Sequence, residues 1–193
     1  MTTTICCVSL WIMLTLCSSI LINVLHLLIT CSKFTVYAMN IFVLDYSPII
    51  AARYHCNKHV VKMIVETTQI LSTVNRLFGI QEGYRSTHVH SACVIHTKSN
   101  LVTYMWVRTL GLELCKEYTR RYDRVHTTQA VLESLSIPPF DGNGVLNLAK
   151  CMPKVMPLEY HRPDIVESYR SCYRWKSTVM SVVWPANETP EWF

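Results

Sequence analysis

The sequence predicts an all-α fold: a compact helical domain over residues 39–193, with two long helices and one or two shorter ones, preceded by an apolar N-terminal segment. Long stretches of the domain carry apolar residues three and four positions apart, which is the spacing of one face of a helix. Capping residues and prolines mark where these stretches start, and glycines or prolines mark where they end. The sequence shows no internal repeat and no set of long strands.

The apolar segment, residues 1–38, differs in character from the rest of the chain. It contains one formal charge, Lys33, and no charge at all between Ile5 and Cys31. Three interpretations stay open. The segment is a membrane anchor, since about 20 apolar residues cross a bilayer. It is a cleaved signal peptide, although no basic region follows the first Met. Or it is an extension of the gene model, and Met39 is the true start. Residues 5–31 are the predicted membrane contact under the first interpretation.

The elements of the domain follow from local signals in chain order. Residues 41–44 form a short apolar run that fits a strand or an extended segment. Ser47 and Pro48 supply a capping hydroxyl and a first-turn proline, and Gly79 supplies a stop. The predicted helices are residues 48–78, either continuous or broken near Cys56, then 100–122, 127–135 and 163–180, with a loop at 79–90.

Composition narrows the classes of function. Half of the chain is hydrophobic, 16% is charged and the mean hydropathy is +0.21, which excludes intrinsic disorder. Lys and Arg outnumber Asp and Glu by 18 to 13, and the net charge of +5 permits a polyanionic partner. The sequence has no Gly-rich phosphate loop, dinucleotide fingerprint, nucleophile elbow or zinc-protease motif, so the usual ATPases, dehydrogenases and serine hydrolases are disfavoured.

The strongest candidate site is one face of the first long helix. Its polar residues, which fall in a narrow sector of the helical wheel, are His55, His59, Lys62, Glu66, Gln69 and Thr73. Imidazoles beside a carboxylate favour proton transfer, because His titrates near neutrality and Glu shifts toward neutrality against an apolar wall. We therefore predict His55, His59, Lys62 and Glu66 as catalytic residues. The alternative is a solvated stripe with a Lys62–Glu66 ion pair.

A second cluster surrounds the predicted loop. His88 and His90 are expected to lie on a loop that closes over the first helix, where they contact a phosphate or cap the site. No cofactor is predicted here. The alternative is a zinc site made of two thiols and two imidazoles, Cys56, His59, His90 and Cys93, whose spacing is looser than in known zinc motifs.

Basic and aromatic residues alternate in two places, at the end of the second long helix and in the last helix. The predicted DNA-binding residues are Tyr118, Arg120, Arg121, Tyr122, Arg124, Arg170, Tyr173 and Lys176. Cations bind phosphates and aromatic rings stack on bases, so DNA is the predicted partner. The alternative is that cations simply complement the dipole at a helix C-terminus.

Short motifs from Met39 to the end carry a family resemblance. They are residues 39–42, 54–63 with Glu66, 87–93, 117–122, 156–160, 169–170 and 190–193. This string is similar to a family of small proteins encoded by phages and large DNA viruses. The resemblance spans nearly the whole domain and none of residues 1–38, which favours Met39 as the start. It implies a viral protein inside an infected cell, anchored to a membrane if the leader is retained.

The sequence also resembles the pyrimidine-dimer DNA glycosylases of phages, which are compact helical enzymes. In that family a chain-terminal amine attacks the sugar C1′, and a Glu on the first long helix, seven residues after a His, assists base loss and strand cleavage. His59 and Glu66 match that spacing. Asn40 follows Met39 where the family has a smaller residue, and with the leader retained Lys62 or Lys58 would supply the amine. The resemblance implies a base-excision glycosylase and lyase; the alternative is a non-catalytic nucleic-acid-binding or adaptor protein, with or without zinc.

Overall fold

The computed structural model describes residues 39–142 and 152–193, and within them the chain is helical, with no strand. The helices are α1 (Pro48–Tyr54), α2 (Asn57–Leu77), α3 (Ala92–Ser99), α4 (Leu101–Tyr122), α5 (Gln129–Ser134) and α6 (Ile165–Val179), with a 3-10 turn at Leu158–Tyr160. The predicted all-α class with two long helices is confirmed. The interpretations of residues 1–38, and the membrane contact within them, fall outside the described residues. Within the described part, no helix has the length and apolar character needed to cross a bilayer.

The first predicted helix is two helices, so the broken alternative is confirmed and the continuous one is wrong. α1 ends at Tyr54, and His55 and Cys56 adopt extended backbone before α2 begins at Asn57. The carbonyl of His55 accepts a hydrogen bond from Nη1 of Arg121 at 2.8 Å. A continuous helix would have paired that carbonyl internally, and the break frees it for a side chain of α4.

The other predicted helices agree with the structure to within about two residues. Asn100 caps α4, since its Oδ1 accepts from the Thr103 N–H at 2.8 Å. The sequence interpretation missed α3, which begins after Ser91, whose side chain accepts from the Val94 N–H at 3.3 Å. α3 is only eight residues long and its polar and apolar residues show almost no periodicity, so the pattern that predicted the other helices was absent.

The segment before α1, residues 40–44, which we call the covering segment, is buried and forms neither a helix nor a strand, and the N–H of Leu44 donates to the carbonyl of Phe42 at 3.1 Å. Ile41, Phe42, Val43 and Leu44 are at most 4% exposed and belong to the same core as α2, α4 and α6. At its start, Asn40 meets Glu66 of α2, and two residues later Phe42 stacks on His59 of α2. The covering segment therefore brings residues 40–42 against the polar face of α2 that the sequence singled out.

Candidate functional site

Glu66 lies at the point where the covering segment meets α2. Its Oε2 accepts a hydrogen bond from the backbone N–H of Asn40 at 3.1 Å, and its Oε1 pairs with Nζ of Lys62 at 2.8 Å. The Glu66 side chain is 17% exposed and the Lys62 side chain is 60% exposed. Two donors from different parts of the chain therefore fix a carboxylate that solvent still reaches.

The backbone of Asn40 is itself held from the far end of the domain. Its Nδ2 donates to the carbonyl of Val155 at 2.9 Å, and its Oδ1 accepts from the N–H of Ile41 at 2.8 Å and from the Tyr169 hydroxyl at 3.3 Å. Asn40 is 8% exposed. The position of the Asn40 backbone nitrogen beside Glu66 is thus set by Tyr169 of α6 and by Val155, which lies before α6 in the chain.

The two predicted catalytic imidazoles lie in the interior. His59 stacks on Phe42, with ring centroids 4.7 Å apart, and its Nδ1 lies 2.7 Å from the Tyr173 hydroxyl. Burial lowers the pKa of His59 to about 3. His55 is fully buried with Nδ1 2.6 Å from the Ala51 carbonyl, and burial lowers its pKa to about 4. Both rings are neutral at physiological pH, so they do not retain the titration near neutrality on which their predicted role relied.

Lys176 of α6, which the sequence assigned to DNA binding, lies beside this cluster. Its Nζ is 5.4 Å from the centroid of the Phe42 ring, the ring that stacks on His59. The side chain is half-buried, and burial lowers the pKa of its amine, while the charges of Lys62 and Glu66 also act on it. Nothing in the sequence pattern could have placed it there, because α6 is separated from α2 by most of the domain.

The predicted loop lies against α2. Nε2 of Gln69 donates to the carbonyl of Arg85 at 2.7 Å, which ties the middle of the loop to the polar face of the helix. His88 and His90 are exposed, and Nδ1 of His88 lies 2.7 Å from the Thr87 hydroxyl. Their rings are open to solvent rather than buried with His59.

The alternative zinc set is not assembled. Cys56 and Cys93 are buried free thiols, whereas His90 is exposed and His59 is paired with Tyr173. Burial raises the pKa of Cys93 to about 12, which disfavours the thiolate that a metal needs. In residues 39–142 and 152–193, no three His, Cys, Asp or Glu side chains are grouped so as to hold a metal ion.

Several of the predicted DNA-binding side chains are engaged inside the protein. The side chain of Arg121 is 2% exposed, and its guanidinium donates to the carbonyls of Arg53 and His55 and pairs with Glu117. Tyr173 is fully buried. Arg120 pairs with Glu117 and Glu188, and Arg170 pairs with Asp45 while lying over the rings of Tyr54 and Trp192.

A cleft of about 380 Å³ remains at the end of α4. It is lined by Val61, Tyr118, Tyr122 and Arg124. The two tyrosine rings lie 4.9 Å apart at a tilt of 47°, and Tyr122 and Arg124 are exposed. Val61 belongs to the exposed face of α2 and is 38% exposed, next to Lys62 in sequence. The cleft therefore contacts α2 five positions before Glu66, on a face that lies about 140° around the helix axis from Glu66.

Comparison with known proteins gives no relative: no family model matches the chain, and neither a curated protein nor a solved structure matches it. The resemblance to viral proteins and to phage glycosylases stays a prediction. The function is accordingly inferred from the site itself.

Proposed function

We propose that the protein is a DNA-processing enzyme that removes a damaged or modified base and then cleaves the strand at the abasic sugar. The observation that carries the proposal is the carboxylate of Glu66, 17% exposed and fixed by Lys62 and by the backbone nitrogen of Asn40. A carboxylate beside C1′ stabilises the positive charge that develops on the sugar as the base departs. The same group accepts the C2′ proton in the elimination that breaks the strand.

The exposed charges and rings of the domain suit a nucleic acid. Lys62, which pairs with Glu66 at 2.8 Å, and Lys58 are exposed on α2, and Arg124 is exposed at the cleft by the end of α4, so all three cations can pair with phosphates. Tyr118 and Tyr122 offer ring faces on which an extruded base can stack. In this proposal His59 and His55 are neutral and buried, so their rings pack against Phe42 and do not exchange protons.

The test uses the full-length protein and two duplexes, one with a single abasic site and one with a single cyclobutane pyrimidine dimer. We expect strand cleavage of at least one duplex, and a loss of about 100-fold or more in Glu66→Gln, the range for removal of a proton-transfer group. Glu113→Gln is the matched control, because Glu113 is 19% exposed and paired with a lysine at 2.6 Å on the other long helix. Equal cleavage by both variants would contradict the role of Glu66.

One observation favours the non-catalytic alternative: both imidazoles on which the sequence hypothesis relied are buried and neutral. A nucleic-acid-binding or adaptor protein needs no proton transfer. It would bind duplex DNA with an affinity that falls steeply with salt, yet leave both duplexes intact. Binding without cleavage would therefore replace the enzyme proposal with this one.

A further inference from the structure

A second cleft, of about 350 Å³, lies between α4 and α5, and we call it the α4–α5 cleft. Its volume lies in the range of pockets that hold small molecules. The charged, amide and aliphatic side chains that line it are Arg108, Leu112, Glu113 and Lys116 of α4 and Gln129 and Glu133 of α5. The cleft therefore combines both signs of charge with an apolar wall.

Two polar atoms of residues that line the α4–α5 cleft are buried without a hydrogen-bond partner. They are Nε of Arg108, which is a donor, and Oε1 of Gln129, which is an acceptor. Buried polar groups in native proteins are almost always paired with protein, water or a ligand. A molecule that carries both an acceptor and a donor would pair both atoms.

The amide of Gln129 is oriented by its neighbour on α5. Its Nε2 donates to Oε1 of Glu133 at 2.8 Å, and an ionised carboxylate accepts hydrogen bonds but cannot donate them. The NH₂ end of the amide must therefore face Glu133, and Oε1 is the end that remains for a donor of another molecule. Because the exposed carboxylate of Glu133 lies beside this amide, a positively charged donor is favoured over a neutral one.

The guanidinium of Arg108 has no carboxylate partner within the protein. It forms no ion pair in residues 39–142 and 152–193, and the rest of the chain contains no Asp or Glu. The other cation of the cleft is already compensated, since Nζ of Lys116 pairs with Oε1 of Glu113 at 2.6 Å. A guanidinium binds a carboxylate through two parallel N–H bonds, so Arg108 favours a ligand that carries a carboxylate.

A ligand with only one sign of charge fits the α4–α5 cleft poorly. A simple anion such as phosphate would meet Oε1 of Gln129 and the carboxylate of Glu133, which are acceptors like the anion itself. A simple cation would meet the guanidinium of Arg108. A small zwitterion presents a carboxylate to the one and an ammonium group to the other. Leu112, which is half-buried and follows Arg108 by one helical turn, offers an aliphatic contact on the same face of α4.

We propose that the α4–α5 cleft binds a free α-amino acid with an aliphatic side chain. Arg108 donates to its carboxylate, Oε1 of Gln129 accepts from its ammonium group, and Leu112 contacts its side chain. The inference is independent of the proposed function, because none of these three residues takes part in the proposed reaction on DNA.

The experiment compares three ligands by isothermal titration calorimetry on the full-length protein. They are L-leucine, 4-methylpentanoate, which is leucine without its amino group, and 3-methylbutylamine, which is leucine without its carboxylate. We expect leucine to bind with a Kd of about 1 mM or tighter. Each analogue should bind about 10-fold more weakly or worse, because each lacks one of the two charge-assisted hydrogen bonds.

Variants then assign the two contacts. Arg108→Met and Gln129→Met should each weaken the binding of leucine by about 10-fold or more. Arg85→Met is the matched control, because it removes an exposed guanidinium that does not line the cleft. In that variant the Kd for leucine should change less than about 2-fold, the effect expected of an exposed charge outside the contact.

Three results would overturn the inference. If leucine does not bind at about 20 mM, water alone satisfies the two buried atoms and the cleft is no amino-acid site. If 4-methylpentanoate binds as tightly as leucine, the cleft is a simple anion site. If Arg108→Met binds leucine as the unmodified protein does, the assigned contact is wrong. The comparison of the three ligands uses the unmodified protein, so it does not depend on whether the variants fold.

Discussion

Replacement of Arg121 by Met tests whether this residue is structural rather than a phosphate ligand. Its guanidinium, 2% exposed, joins three helices: it donates to the carbonyls of Arg53 and His55 at 3.0 and 2.8 Å, to Oδ1 of Asn57 at 3.2 Å, and pairs with Glu117 at 3.0 Å. Breaking a buried ion pair by removing one partner costs about 3–5 kcal/mol. Glu117 keeps Arg120 as a partner, so we expect the lower end of that range, about 3 kcal/mol.

Urea unfolding followed by circular dichroism measures this cost. With an m-value of about 2 kcal/mol per molar, a loss of about 3 kcal/mol lowers the midpoint by about 1.5 M. Arg120→Met is the matched control, because the Arg120 side chain is 47% exposed and such pairs contribute about 1 kcal/mol or less. If the two variants unfold at the same midpoint, Arg121 does not hold the helices together and its place in the DNA-binding surface must be reconsidered.

Two further predictions concern the interior beneath Phe42. His55 and His59 have pKa values of about 4 and about 3 in the folded protein and about 6.5 when unfolded, so the unfolded chain binds more protons as the pH falls below about 6.5. As the pH falls from about 6.5 to about 4, the free energy of unfolding should therefore decrease by up to about 1.4 kcal/mol per pH unit for each ring. In His59→Gln, the dependence of the free energy of unfolding on pH should be about half as steep. Tyr173→Phe removes the hydroxyl that lies 2.8 Å from the N–H of Cys56 and 2.7 Å from Nδ1 of His59. This variant should lower the free energy of unfolding, measured with urea, by about 1–3 kcal/mol. Tyr46→Phe, at a residue that is 53% exposed, should change stability far less.

The helices could be predicted because their signals are local. Ser47, Asn100 and Asp164 precede helices in the structure, and the side chains of Asn100 and Asp164 accept hydrogen bonds from the first turn. The placement of Lys62 and Glu66 as a pair on one helix face also followed from spacing alone. α3 could not be predicted in this way, since its stability comes from packing of Cys93 and Val94 into the core rather than from an amphipathic pattern.

The helical wheel could not predict which residues of the polar face are buried and which reach solvent. A helical wheel shows which residues share a face, but not what covers that face, and here residues 40–42 cover its first half. His59 and Glu66 are seven positions apart on α2, yet the first lies under Phe42 and the second emerges beside Asn40. The same covering segment brings in Lys176 from α6. Long-range contacts of this kind leave no trace in the spacing of a single sequence.

The covering segment also explains how neutral buried imidazoles fit the role that we propose for Glu66. The Phe42 ring, stacked on His59, excludes water from one side of the Lys176 amine. This desolvation lowers the pKa of Lys176. A protonated His59 would add a positive charge beside Lys62 and Lys176, whose own charges lower the pKa of His59. Tyr173, through its hydroxyl at 2.7 Å from Nδ1, holds the ring in place as a neutral hydrogen-bonding partner. The stacked pair of Phe42 and His59 is thus uncharged, and the charges beside it are those of Glu66, Lys62 and Lys176. Under the proposed function, the acid-base role expected of the imidazoles therefore belongs to Glu66.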